Sequence, residues 1–325
     1  MFKLGLDIGY SNLKVAFGED EPEMIVLPAG AAPTERLPGS LRPGTRVEGY
    51  RIQVDGKTWA TGIHPSRFEV WERSLHPDYA STSAYRALFH TALAISGRDI
   101  IDLLVTGLPS AQFEERKDSL EDSLRGRHQV AAKRSVEIKE VRIVPQPVGG
   151  FMAALSQAQS EDADLLAEGR VLVLDPGHFS FDWVLICDSE LQKRSSGSST
   201  EAMSAVLEEA AVRIGEDFGG KLEAERIEQA LQEGKDYVRL FGNRIEIAPY
   251  LDQAAKEVIP VAAERMRASL RKLGGDIDAV VLVGGGAKWW LPVAGELFPK
   301  SKTIVPDNPL LANALGFFEL GVASE

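Results

Sequence analysis

The sequence is poor in cysteine, with Cys187 the single example among 325 residues. One thiol can form neither an internal disulfide nor a multi-cysteine metal site, so a disulfide framework and a cysteine-ligated zinc site are both excluded. Cys187 lies in the apolar run WVLICD, where a small thiol is typical of a buried strand. Redox chemistry is therefore not expected.

Long apolar runs are also absent. No run approaches the roughly 20 residues that span a bilayer, and the first residues lack the basic, apolar and small-residue order of a signal peptide. With 44% hydrophobic and 26% charged residues, the composition indicates a globular protein with room for two domains. We expect no membrane insertion and a cytoplasmic location.

Positive charge is in deficit, because 36 basic residues face 48 acidic ones and the formal net charge is −12. This charge argues against a broad nucleic-acid-binding surface, since binding to phosphate backbones needs clustered Lys and Arg. A local basic patch or an adaptor protein could still bring the chain to DNA. The Walker A pattern Gly-x-x-x-x-Gly-Lys-Ser/Thr is missing as well, which excludes a P-loop fold.

What the sequence does contain is a repeated acidic glycine turn. Residues 4–16, LGLDIGYSNLKVA, form an apolar strand that stops at Asp7, turns at Gly9 and resumes as a second strand. Residues 170–188, RVLVLDPGHFSFDWVLICD, repeat the order with Asp175 and Gly177. One such turn is common hairpin chemistry, but two at half-chain spacing predict two similar halves.

Other patterns predict ordinary structure. Asp55-Gly56 predicts a second hairpin, an amphipathic helix is predicted from Ser81, and a strand is predicted to run directly into a helix near Gln146. Apolar residues at helical spacing in 251–270 predict core packing. Ser198-x-x-Glu201 is interpreted as a capping box that starts the next helix.

The paired turns resemble phosphate loops 1 and 2 of the superfamily of actins, sugar kinases and heat-shock-chaperone ATPases. Further blocks follow in the superfamily's order: PQPVGGF at 145–151 resembles the first connecting motif, VVLVGGGAKWW at 280–290 the adenosine motif, and PLLANALGF at 309–317 the second connecting helix. Asp7-x-Gly9-x-Ser11-Asn12-x-Lys14 and Gln146 look most like bacterial and archaeal actins of the plasmid-segregation (ParM/StbA) kind.

This resemblance implies an α/β fold, a two-domain actin-like (ribonuclease H-like) architecture around a nucleotide cleft. Domain I would comprise residues 1–159 and 309–325, with a small inserted subdomain at about 19–80. Domain II would comprise residues 160–308.

The resemblance also implies a nucleotide site. In the first turn, a glycine lets the backbone approach an anion closely, so the residues expected to cradle phosphate oxygens are Gly9, Tyr10, Ser11 and Asn12. Lys14 would add a charge; its alternative is a strand-edge position facing solvent. Asp7 and Asp175 would be intolerable beside a triphosphate without a cation, so they imply Mg²⁺ as ligands or near-ligands.

In the second turn, Gly177 and His178 are expected to contact phosphate. Here Pro176, His178 and Phe179 depart from the small residues usual in the family. Glu225 is expected to contact the ribose or adenine, although Glu225 and Glu228 could instead form one solvated helix face. The base is expected near Gly284, Gly285 and Gly286, whose alternative is a flexible turn before a helix that begins near Ala287.

Two residues are predicted to act in hydrolysis. Gln146 would orient the attacking water, as the resemblance implies; alternatively, it helps to cap the following helix. Asp175 would polarise that water directly or through the Mg²⁺ shell, because a neutral amide is a poor base.

The predicted function is Mg²⁺-dependent hydrolysis of ATP, or of GTP, coupled to self-association into filaments that segregate plasmid DNA through a DNA-binding adaptor. Two alternatives remain open. One is a small-molecule kinase of the same superfamily, and the other is a non-hydrolysing structural or regulatory protein that only binds nucleotide.

Overall fold

The computed structural model describes residues 1–38, 49–69, 78–271 and 276–322. The chain divides into two compact units, one of Met1–Gln157 with Leu311–Glu325 and one of Ala158–Leu310. These bounds lie close to the predicted domain bounds, and each unit is described by itself below.

The strands and helices alternate along most of the chain. The strands are β1 (Lys3–Ile8), β2 (Asn12–Gly18), β3 (Glu23–Pro28), β4 (Gly30–Pro33), β5 (Tyr50–Val54), β6 (Lys57–Ile63), β7 (Ile100–Leu108), β8 (Gly126–Ala131), β9 (Arg134–Pro145), β10 (Arg170–Pro176), β11 (Phe181–Cys187), β12 (Glu190–Leu191), β13 (Gly197–Ser199), β14 (Tyr237–Leu240), β15 (Asn243–Glu246), β16 (Ala279–Leu282) and β17 (Lys302–Ile304). The helices are α1 (Ser83–Ile95), α2 (Phe113–Leu124), α3 (Gln146–Gln157), α4 (Ser160–Glu168), α5 (Met203–Phe218), α6 (Ala224–Gln232), α7 (Ala248–Leu270), α8 (Ala287–Leu297) and α9 (Ala312–Val322).

The first unit is built on a six-stranded sheet of order β3-β2-β1-β7-β9-β8. The central strand β1 is buried along its whole length, as a strand with helices on both faces should be. Leu4 and Leu6 join the core cluster that includes residues of α1. Leu103 and Val105 of β7 instead pack with Phe317 of α9. The sheet is therefore covered on both faces.

The contact between α3 and α9 fixes the start of α3. A Cβ atom built at Gly316 would lie 1.7 Å from the carbonyl oxygen of Gly149, so the two helices approach more closely than side chains would permit. Gln146 lies at the first position of α3, directly after the last residue of β9. The predicted passage from strand to helix is confirmed, and packing against the C-terminal helix holds it in place.

A small three-stranded sheet of order β4-β6-β5 belongs to the same unit. Its β5–β6 hairpin turns at Asp55-Gly56, with φ of 49° and 75°, which confirms the second predicted hairpin. β3 pairs with β2 in the main sheet, so the separate sheet starts at Gly30 and not at residue 19. Residues 39–48 and 70–77 of the predicted inserted subdomain lie outside the described residues.

The second unit repeats the pattern with a sheet of order β12-β11-β10-β16-β17. Its core joins the sheet to α5, α7 and α8. In α7, Leu251, Ala255 and Met266 are buried, which confirms the core prediction from helical spacing, while Val258 and Leu270 are partly buried. Trp290 is buried in α8 and stacks on Phe181, with ring centroids 3.9 Å apart. None of the described helices is long and apolar enough to span a membrane.

Candidate functional site

The first candidate region is the β1–β2 hairpin, whose turn comprises residues 9–12, the last of them also the first residue of β2. Ile8 pairs with Leu13 at its base, and the Gly9 N–H donates to the Asn12 carbonyl at 3.0 Å. The turn is thus closed by its own backbone, and the Gly9 N–H is already used within it. If this turn binds phosphate, Gly9 contributes by allowing close approach.

Side chains further order this turn. The Asn12 amide donates to the Ser11 hydroxyl at 3.2 Å. The Tyr10 ring stacks on Tyr79, with centroids 4.4 Å apart. Burial raises the pKa of Tyr10 to about 12, although the charge of Arg116 opposes the shift. Tyr10 is therefore a neutral hydrogen-bonding group at neutral pH.

Asp7 is the central acidic residue of this first region. It is 1% exposed, and the register of β1 and β2 places it directly opposite Lys14. Lys14 Nζ donates to one carboxylate oxygen at 2.8 Å, and Gln146 Nε2 donates to the other at 2.8 Å. The solvent-facing alternative for Lys14 is wrong, because its side chain is only 13% exposed and pairs with a fully buried carboxylate.

This arrangement also fixes the orientation of the Gln146 amide. A carboxylate can only accept, so the Gln146 NH₂ must face Asp7. The side chain therefore bonds Asp7 and not the first turn of α3, whereas the capping alternative requires a bond to that turn. Among the described residues, the Gln146 carbonyl oxygen has no hydrogen-bond partner, so it is an acceptor available to a water molecule.

The second candidate region is the β10–β11 hairpin, which has the same frame. Pro176 pairs with Phe181, and the Gly177 N–H donates to the Ser180 carbonyl at 2.9 Å across a connection of residues 177–180. Position for position, Ser180 corresponds to Asn12 of the first turn. The internal repeat predicted from the sequence is confirmed at the level of backbone hydrogen bonds.

The second hairpin differs from the first in the charge of the residue that faces its aspartate. Asp175 lies directly opposite Asp182, and the two residues are 5% and 2% exposed. Asp182 accepts hydrogen bonds from the hydroxyls of Ser180 and Ser198. Two buried carboxyl groups on one face of a hairpin are therefore stabilised in part by neutral donors.

The interpretation of Ser198-x-x-Glu201 as a capping box is wrong. Helix α5 begins at Met203, and its N-cap residue Ala202 makes no side-chain capping bond. The N–H groups of Met203 and Ser204 instead donate to the carbonyls of Gly177 and His178, at 3.2 and 2.7 Å. The second turn caps the helix, and the Ser198 hydroxyl donates to Asp182.

The glycine triplet packs against this same turn. Gly284 has φ of +79°, and a Cβ atom there would lie 2.2 Å from a carboxylate oxygen of Asp175. A Cβ atom at Gly286 would lie 2.8 Å from the Met203 side chain. Helix α8 begins at Ala287 as predicted, and Gly285 is exposed. Gly284 and Gly286 are therefore required by close packing, which the alternative of a merely flexible turn did not anticipate; base binding at the triplet stays a prediction.

Sequence reasoning missed Glu228. This residue of α6 is 4% exposed, and its carboxylate lies 3.7 Å from Nδ1 of His178, whereas Glu225 is exposed. The reading of both glutamates as one solvated face is wrong. Position 228 is four residues after Ala224 and three before Leu231, both packed on the core, and this spacing was the available signal.

The described residues contain no group of three or more His, Cys, Asp or Glu side chains that could form a metal site. This result is compatible with Mg²⁺, which keeps several waters and is held through one or two carboxylates plus phosphate oxygens.

Two family matches account for most of the chain. Residues 5–149 match the family of actin-like proteins, N-terminal domain, and residues 173–291 match the family of archaeal actin homologues, MreB-like, C-terminal. The chain is an actin homologue. Each match contains one of the two hairpins, and the first contains Gln146. The predicted superfamily is confirmed.

Solved structures show the same actin-like fold. Ta0583, an archaeal actin homolog, is 21% identical over 100% of both chains with a TM-score of 0.77, and its complex with ADP has a TM-score of 0.76. A non-polymerisable quadruple mutant of pCBH ParM is 21% identical over 99% of each chain, with a TM-score of 0.74. ParM in a 15-stranded filament from Clostridium botulinum is 19% identical over 99% of each chain, with a TM-score of 0.73. Among curated proteins, no sequence match was found.

Proposed function

We propose that this actin homologue hydrolyses ATP with Mg²⁺ and couples hydrolysis to assembly into filaments. The observation that carries the proposal is the Asp7, Lys14 and Gln146 arrangement: a buried carboxylate beside a glycine turn holds an amide whose oxygen remains available. An orienting acceptor beside a phosphate-binding turn is what hydrolysis by positioning requires. GTP is the second candidate nucleotide.

The donor set fits a magnesium nucleotide. Asp7 and Asp175 are buried carboxylates, each near the end of a strand that turns on a glycine, and carboxylate oxygens are the hard ligands that Mg²⁺ prefers. Both would hold the ion directly or through its waters. Bound Mg²⁺ would neutralise charge on the phosphate oxygens and so lower the barrier to phosphoryl transfer.

The other roles belong to the chain's own groups. Lys14 fixes the carboxylate of Asp7, and Asp7 fixes the amide of Gln146 so that its oxygen can accept a hydrogen bond from water. The turns at 9–12 and 177–180 bind phosphate oxygens by close backbone approach, and His178 contacts phosphate while Glu228 holds its ring. The triplet Gly284 to Gly286 lies against the adenosine, and Glu225 contacts the sugar or base.

Self-assembly and a role in segregating DNA are further parts of the proposal. Support comes from the fold shared with a ParM that forms a 15-stranded filament. A net charge of −12 opposes direct binding to DNA, so the proposal includes a separate DNA-binding adaptor.

Sedimentation with simultaneous measurement of phosphate release tests the proposal. The protein, at micromolar concentration and near-physiological salt, is incubated with ATP, GTP, a non-hydrolysable ATP analogue or no nucleotide, each with Mg²⁺ or EDTA. We expect nucleotide- and Mg²⁺-dependent sedimentation, with phosphate released only from the hydrolysable nucleotides. Monomer under every condition, together with phosphate transfer to an added small-molecule alcohol, would establish the kinase alternative. Filaments without phosphate release would establish the non-hydrolysing one.

A further inference from the structure

The β14–β15 hairpin carries a residue that its turn does not favour. Leu240 pairs with Asn243, so the connection is Phe241-Gly242, with φ of 50° and 82°. Two-residue turns with both φ positive strongly prefer Asn-Gly or Asp-Gly. A bulky residue in this conformation is strained.

The fold offsets little of that strain, because the Phe241 side chain is 73% exposed, the highest value among the large hydrophobic residues the structure describes. Its orientation is nevertheless defined. A Cβ atom at Gly220 would lie 2.5 Å from Phe241 Cε2, so the ring edge rests on a glycine just after α5. The hairpin thus holds an aromatic ring out to solvent in a set position.

Two arginines brace the same hairpin. The Arg226 guanidinium donates to the Arg239 carbonyl, and the Arg239 guanidinium donates to the Gly242 carbonyl at 3.1 Å. Arg244, in contrast, pairs with Asp236 at 3.1 Å. Within the described part of the chain, Arg226 and Arg239 have no carboxylate within 4.0 Å, so no acidic side chain pairs with their charges on this hairpin.

We propose that Phe241, Arg226 and Arg239 form an anchor that docks on a second copy of this chain. Phenylalanine and arginine are both enriched at protein interfaces, and arginine is among the residues that most often dominate the binding energy. The charge complementarity is direct, because the chain carries a net charge of −12 and a second copy offers a predominantly acidic surface.

Docking of the anchor on a different surface of the second copy is a heterologous contact, and such a contact extends a filament when its rotation does not close into a ring. The inference rests on the proposed self-assembly and adds the residues that carry it.

The substitution Phe241→Asn separates assembly from folding. Asn tolerates positive φ and is preferred at this turn position, so the variant should unfold at the same temperature as wild type or higher. Removing an interface anchor should raise the critical concentration for ATP-dependent sedimentation by about tenfold or more. Arg226→Gln should raise it less and should reduce its dependence on salt between 50 and 500 mM NaCl. Val261→Gln, at a 48% exposed position of α7, is the matched control and should assemble as wild type does.

The outcomes distinguish the two proposals. If wild type never sediments with any nucleotide, self-assembly fails and the anchor fails with it. If wild type sediments and Phe241→Asn has the same critical concentration, the anchor alone is overturned. The anchor is also overturned if Phe241→Asn assembles as wild type does but binds fluorescently labelled single-stranded DNA more weakly. The hairpin would then be a nucleic-acid contact.

Discussion

The two acidic hairpins have the same backbone hydrogen bonds, but different side chains stabilise the buried carboxylates in each. Asp7 faces Lys14 across β1 and β2, whereas Asp175 faces Asp182 across β10 and β11. The first pair of side chains is neutral overall and joined at 2.8 Å. The second pair brings two acidic residues together, with serine hydroxyls as donors.

This difference predicts which hairpin gains more from the proposed Mg²⁺. Opposite charges directly across an antiparallel pair stabilise it, and like charges destabilise it. The first hairpin therefore contains its own counter-charge and keeps Asp7 ordered in the absence of metal. In the second, Asp182 accepts from neutral serine hydroxyls, and the imidazole of His178 lies 3.7 Å from the Glu228 carboxylate. Bound Mg²⁺ should therefore stabilise the second unit more than the first.

The largest expected effect comes from replacing each aspartate of the comparison by alanine. Asp7→Ala and Asp175→Ala should both lower phosphate release by at least about 100-fold, since each removes a proposed ligand of the metal nucleotide. Their stabilities should differ. Asp7→Ala leaves Lys14 in a buried site without its carboxylate and should cost about 3 to 5 kcal/mol of unfolding free energy, whereas Asp175→Ala also relieves repulsion and should cost less.

Phosphate release and urea denaturation measure the two quantities in the two variants. Wild-type turnover in both variants would contradict the assignment of Asp7 and Asp175 to the metal-nucleotide site. Equal losses of stability would show that the charge difference between the hairpins has no energetic consequence.

An intermediate effect is expected for Gln146→Ala, which removes the amide that bonds Asp7 of the first hairpin. The variant should bind nucleotide with nearly unchanged affinity but turn it over roughly 10- to 1000-fold more slowly, because an orienting group acts mainly in the transition state. Its ATP filaments should outlast wild-type filaments, as followed by light scattering after ATP addition. A lower affinity with an unchanged rate per bound nucleotide would instead make Gln146 a binding residue.

The sequence near each turn was sufficient to predict the strands and turns of these hairpins. Glycine turns between apolar strands, and a glycine triplet before Ala287, depend on backbone chemistry that neighbouring residues determine. The pairing of Lys14 with Asp7 was also within reach, because a four-residue turn at 9–12 sets the register.

Partners from distant segments were not within reach of the sequence. The spacing in α6 indicates that position 228 faces the core, but not that Glu228 lies beside His178. Likewise, the Ser-x-x-Glu pattern does not show that Ser198 bonds Asp182 or that carbonyls of the second turn cap α5. Both depend on tertiary packing, which overrides the local preference of glutamate for solvent and of Ser-x-x-Glu for a helix start.

The smallest expected effect, and the sharpest test of the comparison, is Asp182→Asn. This change removes one of the two facing acidic charges while keeping the shape of the side chain. The Asn carbonyl can accept from one serine hydroxyl, and its NH₂ can donate to the other, so the hydrogen bonds to Ser180 and Ser198 can be retained. Relief of cross-strand repulsion should raise the metal-free unfolding free energy by up to about 1 kcal/mol, or roughly 2 to 4 °C in Tm.

The Mg²⁺-dependent increase in Tm should shrink in the same variant, because Asp175 no longer needs a cation to offset its neighbour. Thermal unfolding with and without Mg²⁺ measures both quantities, and Asp252→Asn, at an exposed position of α7, is the control for the loss of one negative charge. A variant that is less stable than wild type by 2 kcal/mol or more would show that the serine bonds to the carboxylate outweigh the repulsion. In that case the second hairpin holds its buried acid as securely as the first, and Mg²⁺ should stabilise both units equally.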